Sequence, residues 1–185
     1  MKIIKQDMTF EGTKIKGSRF IAFVFVVYTR EDIVEKLAYV RQLYPNASHV
    51  CYAWILPDEG VFCHDDGEPT GSAGRPILQH IQGRNITNIL AVSVRYFGGV
   101  KLGVGGLIRA YGDSVASVLD KVELLEHVIL QWITVLYDYD ISKYVQKILS
   151  NHSELCESVE HQYQEQVCTK IQTPLEHVSF WKQQT

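Results

Sequence analysis

At 185 residues, with 46% hydrophobic and 21% charged side chains, the chain can build one sizeable core or two small ones, and its composition excludes a disordered or membrane-embedded protein. A formal net charge of −3 and a pI near 6.1 exclude binding of nucleic acid by bulk charge, so any phosphate contact has to come from a local patch. The longest apolar run, residues 20–28, is far short of the ~20 residues of a membrane span, and no basic-then-apolar segment opens the chain. A cytoplasmic location is expected, with Cys51, Cys63, Cys156 and Cys168 as reduced thiols.

After a polar opening that reaches Lys16-Gly17-Ser18-Arg19, the run FIAFVFVVY predicts a strand buried on both faces. Thr29 then stands as the cap of a helix. Glu31 and Asp32 fall in its first turn, where the helix dipole favours anions, and Ile33, Val34, Leu37, Val40 and Leu43 form its apolar stripe up to Tyr44. Residues 48–56 and 61–63 read as a hairpin around Pro57-Asp58-Glu59-Gly60. Pro76 is placed to open a short helix that Gly83 closes, residues 88–97 predict another buried strand, and residues 107–119 a helix. Beyond a pattern change at residues 121–126, the order is strand (127–137), helix (141–149), strand pair (154–160 and 166–171) and helix (175–181). A ferredoxin-like half-sandwich needs one more strand than this β-α-β-β-α order supplies.

Most of the thirteen glycines crowd into residues 67–112, in two runs. The second, RYFGGVKLGVGGLIRAYG, joins a strand to a helix, with Gly105 and Gly106 just before the first expected helical residue. A helix start preceded by glycines presents unpaired N–H groups that suit an anion, and Arg95, Lys101 and Arg109 place cations nearby. It is not a Walker A loop, because Lys101 precedes the later glycines. Nor is it a dinucleotide fingerprint, because Ile108 stands where the last glycine is required. Gly103, Gly105 and Gly106, with those three cations, are the candidate anion or nucleic-acid site. The bland alternative is that the glycines serve positive φ and close packing. Tyr96 and Phe97 offer rings for stacking on bases or for the core.

The first run, DDGEPTGSAGRP, carries Asp65, Asp66 and Glu68, close enough to hold a hard cation or to move protons. Turn chemistry and capping of the following helix account for the same residues. His49, Cys51, Cys63 and His64 could meet on a hairpin around zinc, but they lack paired metal-ligand spacing and read more simply as packed side chains. No glycine-flanked serine elbow occurs. No cofactor or metal is implied.

Taken together, KGSRFIAFV, the segment at residues 47–53, DDGEPTGSAGRP and VRYFGGVKLGVGGLIRAYG resemble the IMPACT family, which includes bacterial YigZ-type proteins. The resemblance spans residues 16–119. It implies an α+β chain of two domains. Residues 1–122 would be a β-α sandwich like domain 2 of ribosomal protein S5. Residues 126–185 would be a smaller ferredoxin-like domain, similar to the C-terminal domain of elongation factor G and one strand short. Eukaryotic members restrain the amino-acid-starvation kinase by competing for its activator, using an RWD domain not found in these residues, so that partner is not expected. What the resemblance implies here is a non-enzymatic, translation-associated regulator touching RNA or the ribosome. The alternative is an enzyme acting on a phosphorylated or carboxylated small molecule, with Asp65, Asp66 and Glu68 as its metal or acid–base site. A scaffold that binds a protein partner through its glycine loops is the third reading.

Overall fold

The computed structural model describes residues 1–12 and 14–184, which form a mixed α+β chain of two compact units, Met1–His127 and Val128–Thr185. No helix among the described residues is long and apolar enough to cross a membrane.

The first unit is built on a five-stranded antiparallel sheet. Its strands are β2 (Met8–Glu11), β3 (Arg19–Val26), β4 (His49–Leu56), β5 (Gly60–His64) and β6 (Ile89–Tyr96), in the order β2-β3-β6-β4-β5. Both faces are buried because both are covered by helices. On one face, Phe20, Ala22, Val24, Cys51, Ala53 and Ala91 pack under α2 (Gly74–Gln82) and α3 (Val104–Leu119). On the other, Ile21, Phe23, Phe25, Trp54 and Val92 pack under α1 (Arg30–Leu43). The period of two along β3 therefore divides one apolar run between two cores.

Helix α1 starts where the sequence predicts. The Thr29 hydroxyl accepts from the Asp32 N–H, and the Asp32 carboxylate accepts from Thr29 at 3.0 Å and Tyr28 at 2.8 Å, a reciprocal capping box. These backbone N–H groups hold the Asp32 carboxyl below its ordinary range. The predicted hairpin is β4–β5, closed by residues 57–59. Three strands carry no local signal. They are β2 and the paired short strands β1 (Lys2–Ile4) and β7 (Leu124–Glu126), which bring Lys2 opposite Glu126. The pattern change at residues 121–126 thus falls on a strand that pairs within the first unit.

In the second unit, β8 (Leu130–Tyr137), β9 (Ser158–Tyr163) and β10 (Val167–Pro174) form an antiparallel sheet in the order β8-β10-β9, with α4 (Ser142–Asn151) and α5 (Val178–Gln184) completing it. On β10, Val167, Thr169, Ile171 and Thr173 alternate inward. The two buried threonines are satisfied. Thr169 shares hydrogen bonds with the Tyr137 hydroxyl at 2.9 Å and His161 at 2.8 Å, and the Trp181 indole donates to Thr173 at 3.2 Å. Single 3-10 turns precede α4 and α5, so both helices begin later than the apolar pattern alone predicts.

Candidate functional site

The two glycine-rich runs have opposite fates. In the acidic run, every carboxylate is engaged inside the protein. Asp65 reaches forward to the start of α2, where its carboxylate accepts from Gly71 at 2.8 Å, Ala73 at 3.0 Å and Gly74 at 2.8 Å. Ala73, at the cap position, offers no side chain of its own, so Asp65 supplies the anion that the helix terminus needs. Burial raises the Asp65 carboxyl, but the three N–H groups outweigh it and hold it below the usual range.

Asp66 sits at a φ of +44°, and Gly67 follows at +86°, a left-handed turn that Asp tolerates and Gly favours. The turn sends the Asp66 carboxylate back to the Val50 N–H at 2.7 Å and the Arg41 guanidinium at 3.1 Å. Here too burial raises the carboxyl, and the Val50 N–H and Arg41 overcome it, leaving it lowered. The Asp66 carbonyl accepts from His49 Nδ1 at 2.8 Å.

Glu68 points into the first unit. Its Oε1 takes hydrogen bonds from Arg95 and from the Tyr111 hydroxyl at 2.8 Å, and the Glu68 and Arg95 side chains are each 5% exposed. The Arg95 guanidinium also donates to the Ser18 hydroxyl at 3.3 Å and lies between the rings of Phe20 and Phe97. His49 Nε2 stands 3.7 Å from Glu68, beyond hydrogen-bond reach. The Cys51 thiol donates to the Asp65 carbonyl at 3.0 Å, and burial pushes its pKa up to about 12. Burial likewise drives the Tyr111 phenol upward. At neutral pH both groups therefore stay protonated and act as hydrogen-bond donors.

This network corrects two sequence expectations. Arg95 does not belong to the anion loop, because it is the buried counter-charge of Glu68. Asp65, Asp66 and Glu68 diverge to a helix start, a strand N–H and an arginine, and no group of three His, Cys, Asp or Glu side chains among the described residues is placed to hold a metal ion. The zinc arrangement fails on register. Cys51 is in the core beneath α2 and α3, whereas His64 pairs opposite Tyr52 and stacks on its ring at 5.3 Å, on the other side of the sheet. Tyr111 was legible only as a core residue of α3. Its hydroxyl gave no separate signal, because its partner lies in a distant loop.

The basic run is open. Gly98 packs so tightly on the turn at residues 15–18 that an added Cβ would fall 1.9 Å from the Gly17 carbonyl carbon, and its N–H donates to the Ser18 hydroxyl at 3.2 Å. Past that anchor, Val100, Lys101, Gly103, Val104 and Gly105 are all exposed. Gly103, at a φ of +73°, turns the chain into α3. Gly105 and Gly106 lie inside the first turn rather than before it, because Leu107 already donates to the Gly103 carbonyl at 2.9 Å. The N–H groups of Val104, Gly105 and Gly106 precede the first intrahelical bond, and no side chain caps them. Lys101 and Arg109 are exposed and make no ion pair among the described residues. Phe97 is half exposed, while Tyr96 packs against Tyr44.

The Impact N-terminal domain model matches residues 16–119, which include both runs and the sheet between them. The chain is 38% identical over 127 residues to the IMPACT family member YvyE of Bacillus subtilis and 41% identical over 113 residues to YigZ of Escherichia coli. These alignments cover 68% and 59% of this chain, and 58% and 55% of the relatives, so the chain spans just over half the length of the curated relatives it matches. A crystal structure of a hypothetical protein superposes with a TM-score of 0.68 at 30% identity, covering 97% of this chain and 88% of the other. The sequence signature, the matched domain and these relatives together show that the chain belongs to the IMPACT family.

Proposed function

We propose that this chain is a non-enzymatic, translation-associated regulator that grips RNA phosphates with residues 98–109. In this reading the first unit is an S5 domain 2-like module, the second is ferredoxin-like, and the protein works in the cytoplasm on RNA or the ribosome. The observation that carries it is the contrast between two helix starts: α2 is capped by the chain's own Asp65, whereas α3 opens on bare glycine backbone near Lys101 and Arg109, exposed cations without an ion pair among the described residues. A helix N-terminus without side chains in the way, next to unpaired cations, suits a phosphate. The exposed Phe97 ring adds a stacking surface beside it. The carboxylates that an enzymatic reading requires are tied into the fold.

The test is anisotropy titration of a short single-stranded RNA at several salt concentrations. Affinity should fall steeply with salt, and Lys101→Ala and Arg109→Ala should each weaken binding and flatten the log–log salt slope by roughly 0.7. Absence of binding at low salt, or binding unchanged by both substitutions, defeats the proposal.

A further inference from the structure

Past the end of β6, a single aromatic ring is held in place from the inside outward. Glu68 and Arg95 are both almost fully buried, and the Arg95 guanidinium lies against the Phe97 ring, 5.5 Å from its centre. The Tyr111 hydroxyl, on the same Glu68 oxygen at 2.8 Å, ties this pair to α3. The backbone at the ring is fixed as well. The Phe97 N–H donates to the Ser48 hydroxyl at 3.0 Å, and the next N–H, that of Gly98, donates to the Ser18 hydroxyl at 3.2 Å. The ring is nevertheless 49% exposed, so one face rests on a buried cation while the other stands open. A ring fixed in this way loses little freedom when a flat partner stacks on it.

The run that follows mixes apolar and cationic groups on its surface. Val104 and Ile108, one turn apart on α3, are 54% and 39% exposed, and the exposed Arg109 comes next to Ile108. A double-stranded RNA offers phosphates and 2′-hydroxyls and keeps its base faces stacked inside, so it has no use for an open ring or exposed valine and isoleucine. A strand with unpaired bases offers phosphates and flat base faces together.

We propose that this site takes unpaired nucleotides and discriminates against duplex, with Phe97 setting that specificity by stacking on a base while residues 98–109 hold the flanking phosphates. This rests on the RNA reading given above. Glu68, Arg95, Ser18 and Ser48 are positioning residues, which hold the ring and the first peptides of the loop without touching the nucleic acid. The acidic run thereby supports the basic run from behind, although none of its carboxylates meets the ligand.

The test is anisotropy titration of the full chain with three labelled RNAs: a short single strand, the same strand annealed to its complement, and the same strand with abasic sugars throughout. The single strand should bind at least ~tenfold tighter than the duplex. Phe97→Leu keeps an apolar cover over Arg95 but removes the aromatic face. It should weaken single-strand binding about tenfold, leave the log–log salt slope and the duplex and abasic affinities unchanged, and preserve the circular dichroism, whereas Phe97→Trp should bind as the parent does. Equal affinity for strand and duplex overturns the proposal, a comparison made on the parent protein and independent of how any variant folds. So does Phe97→Leu binding the single strand as the parent does, or losing the abasic strand equally, while Lys101→Ala and Arg109→Ala continue to report on the phosphate grip. Absence of binding to all three RNAs at low salt defeats the RNA reading itself, and this proposal with it.

Discussion

Two runs of one glycine-rich signature meet opposite ends in this fold. In residues 65–76 the three carboxylates turn inward and each finds a protein partner, Asp65 on the start of α2, Asp66 on Val50 and Arg41, and Glu68 on Arg95 and Tyr111, while Arg75 stays exposed. In residues 98–106 the backbone turns outward, and Lys101 is exposed and makes no ion pair among the described residues. Glycine content therefore does not distinguish a binding loop from a structural one. What distinguishes them is whether the polar groups beside the glycines are already answered within the molecule.

Substitutions can break that comparison, and the largest effect is expected at Glu68. Glu68→Ala leaves the buried Arg95 without its counter-charge and should cost about 3–5 kcal/mol in urea unfolding. A loss under 1 kcal/mol would mean that the acidic run is not a structural element.

Next is Asp65→Ala, which uncovers the start of α2 and should cost about 1–3 kcal/mol. The Asp65 carboxyl is lowered in the folded chain, so its contribution is complete above the unfolded value near 4 and is lost as pH falls through the lowered folded value. Stability measured against pH should accordingly fall less steeply on acidification in Asp65→Asn than in the parent protein.

Gly105→Ala sharpens the contrast with opposite signs. No atom stands within 4 Å of the added Cβ, and the residue is helical, so the chain should gain up to about 1 kcal/mol while RNA binding weakens as a methyl group enters the bare backbone. Smallest of all, Lys101→Ala and Arg109→Ala should leave the unfolding free energy within about 0.5 kcal/mol, whatever they do to binding. A large loss of stability in either would place these cations in the fold instead of at its surface.

The parts of the fold legible in the sequence are those whose cause is local. Thr29 and Asp32 are three residues apart and form their capping box unaided. The apolar run of β3, the hairpin of β4 and β5, and the apolar stripe of α3 are likewise short-range patterns. β1 and β7 escape such reading because three residues each carry too little period, and what makes them strands is a partner at the other end of the unit. The candidate site divides the same way. That a glycine run opens a helix is visible in residues 98–109. So is the capping role of Asp65, whose donors Gly71, Ala73 and Gly74 follow it closely in the chain, whereas the roles of Asp66, Glu68 and Arg95 are not, because each depends on a partner supplied by tertiary contact. Gly105 and Gly106 fall one turn deeper in α3 than the apolar spacing places them, since the helix begins at its backbone bonds and not at its first buried side chain.

The seam between β1 and β7 has a mechanical meaning. Met1 and His127 lie at the same end of that short antiparallel ladder, where the His127 N–H donates to the Met1 carbonyl at 2.8 Å. Tension applied between residues 1 and 127 would load these hydrogen bonds one after another, as a zipper, and not together in shear. The ladder should therefore open bond by bond, and because the Lys2 N–H also donates to the Asn85 carbonyl at 2.9 Å while the Lys2 carbonyl accepts from the Thr87 N–H at 2.8 Å, the load passes from the seam into the segment that leads to β6.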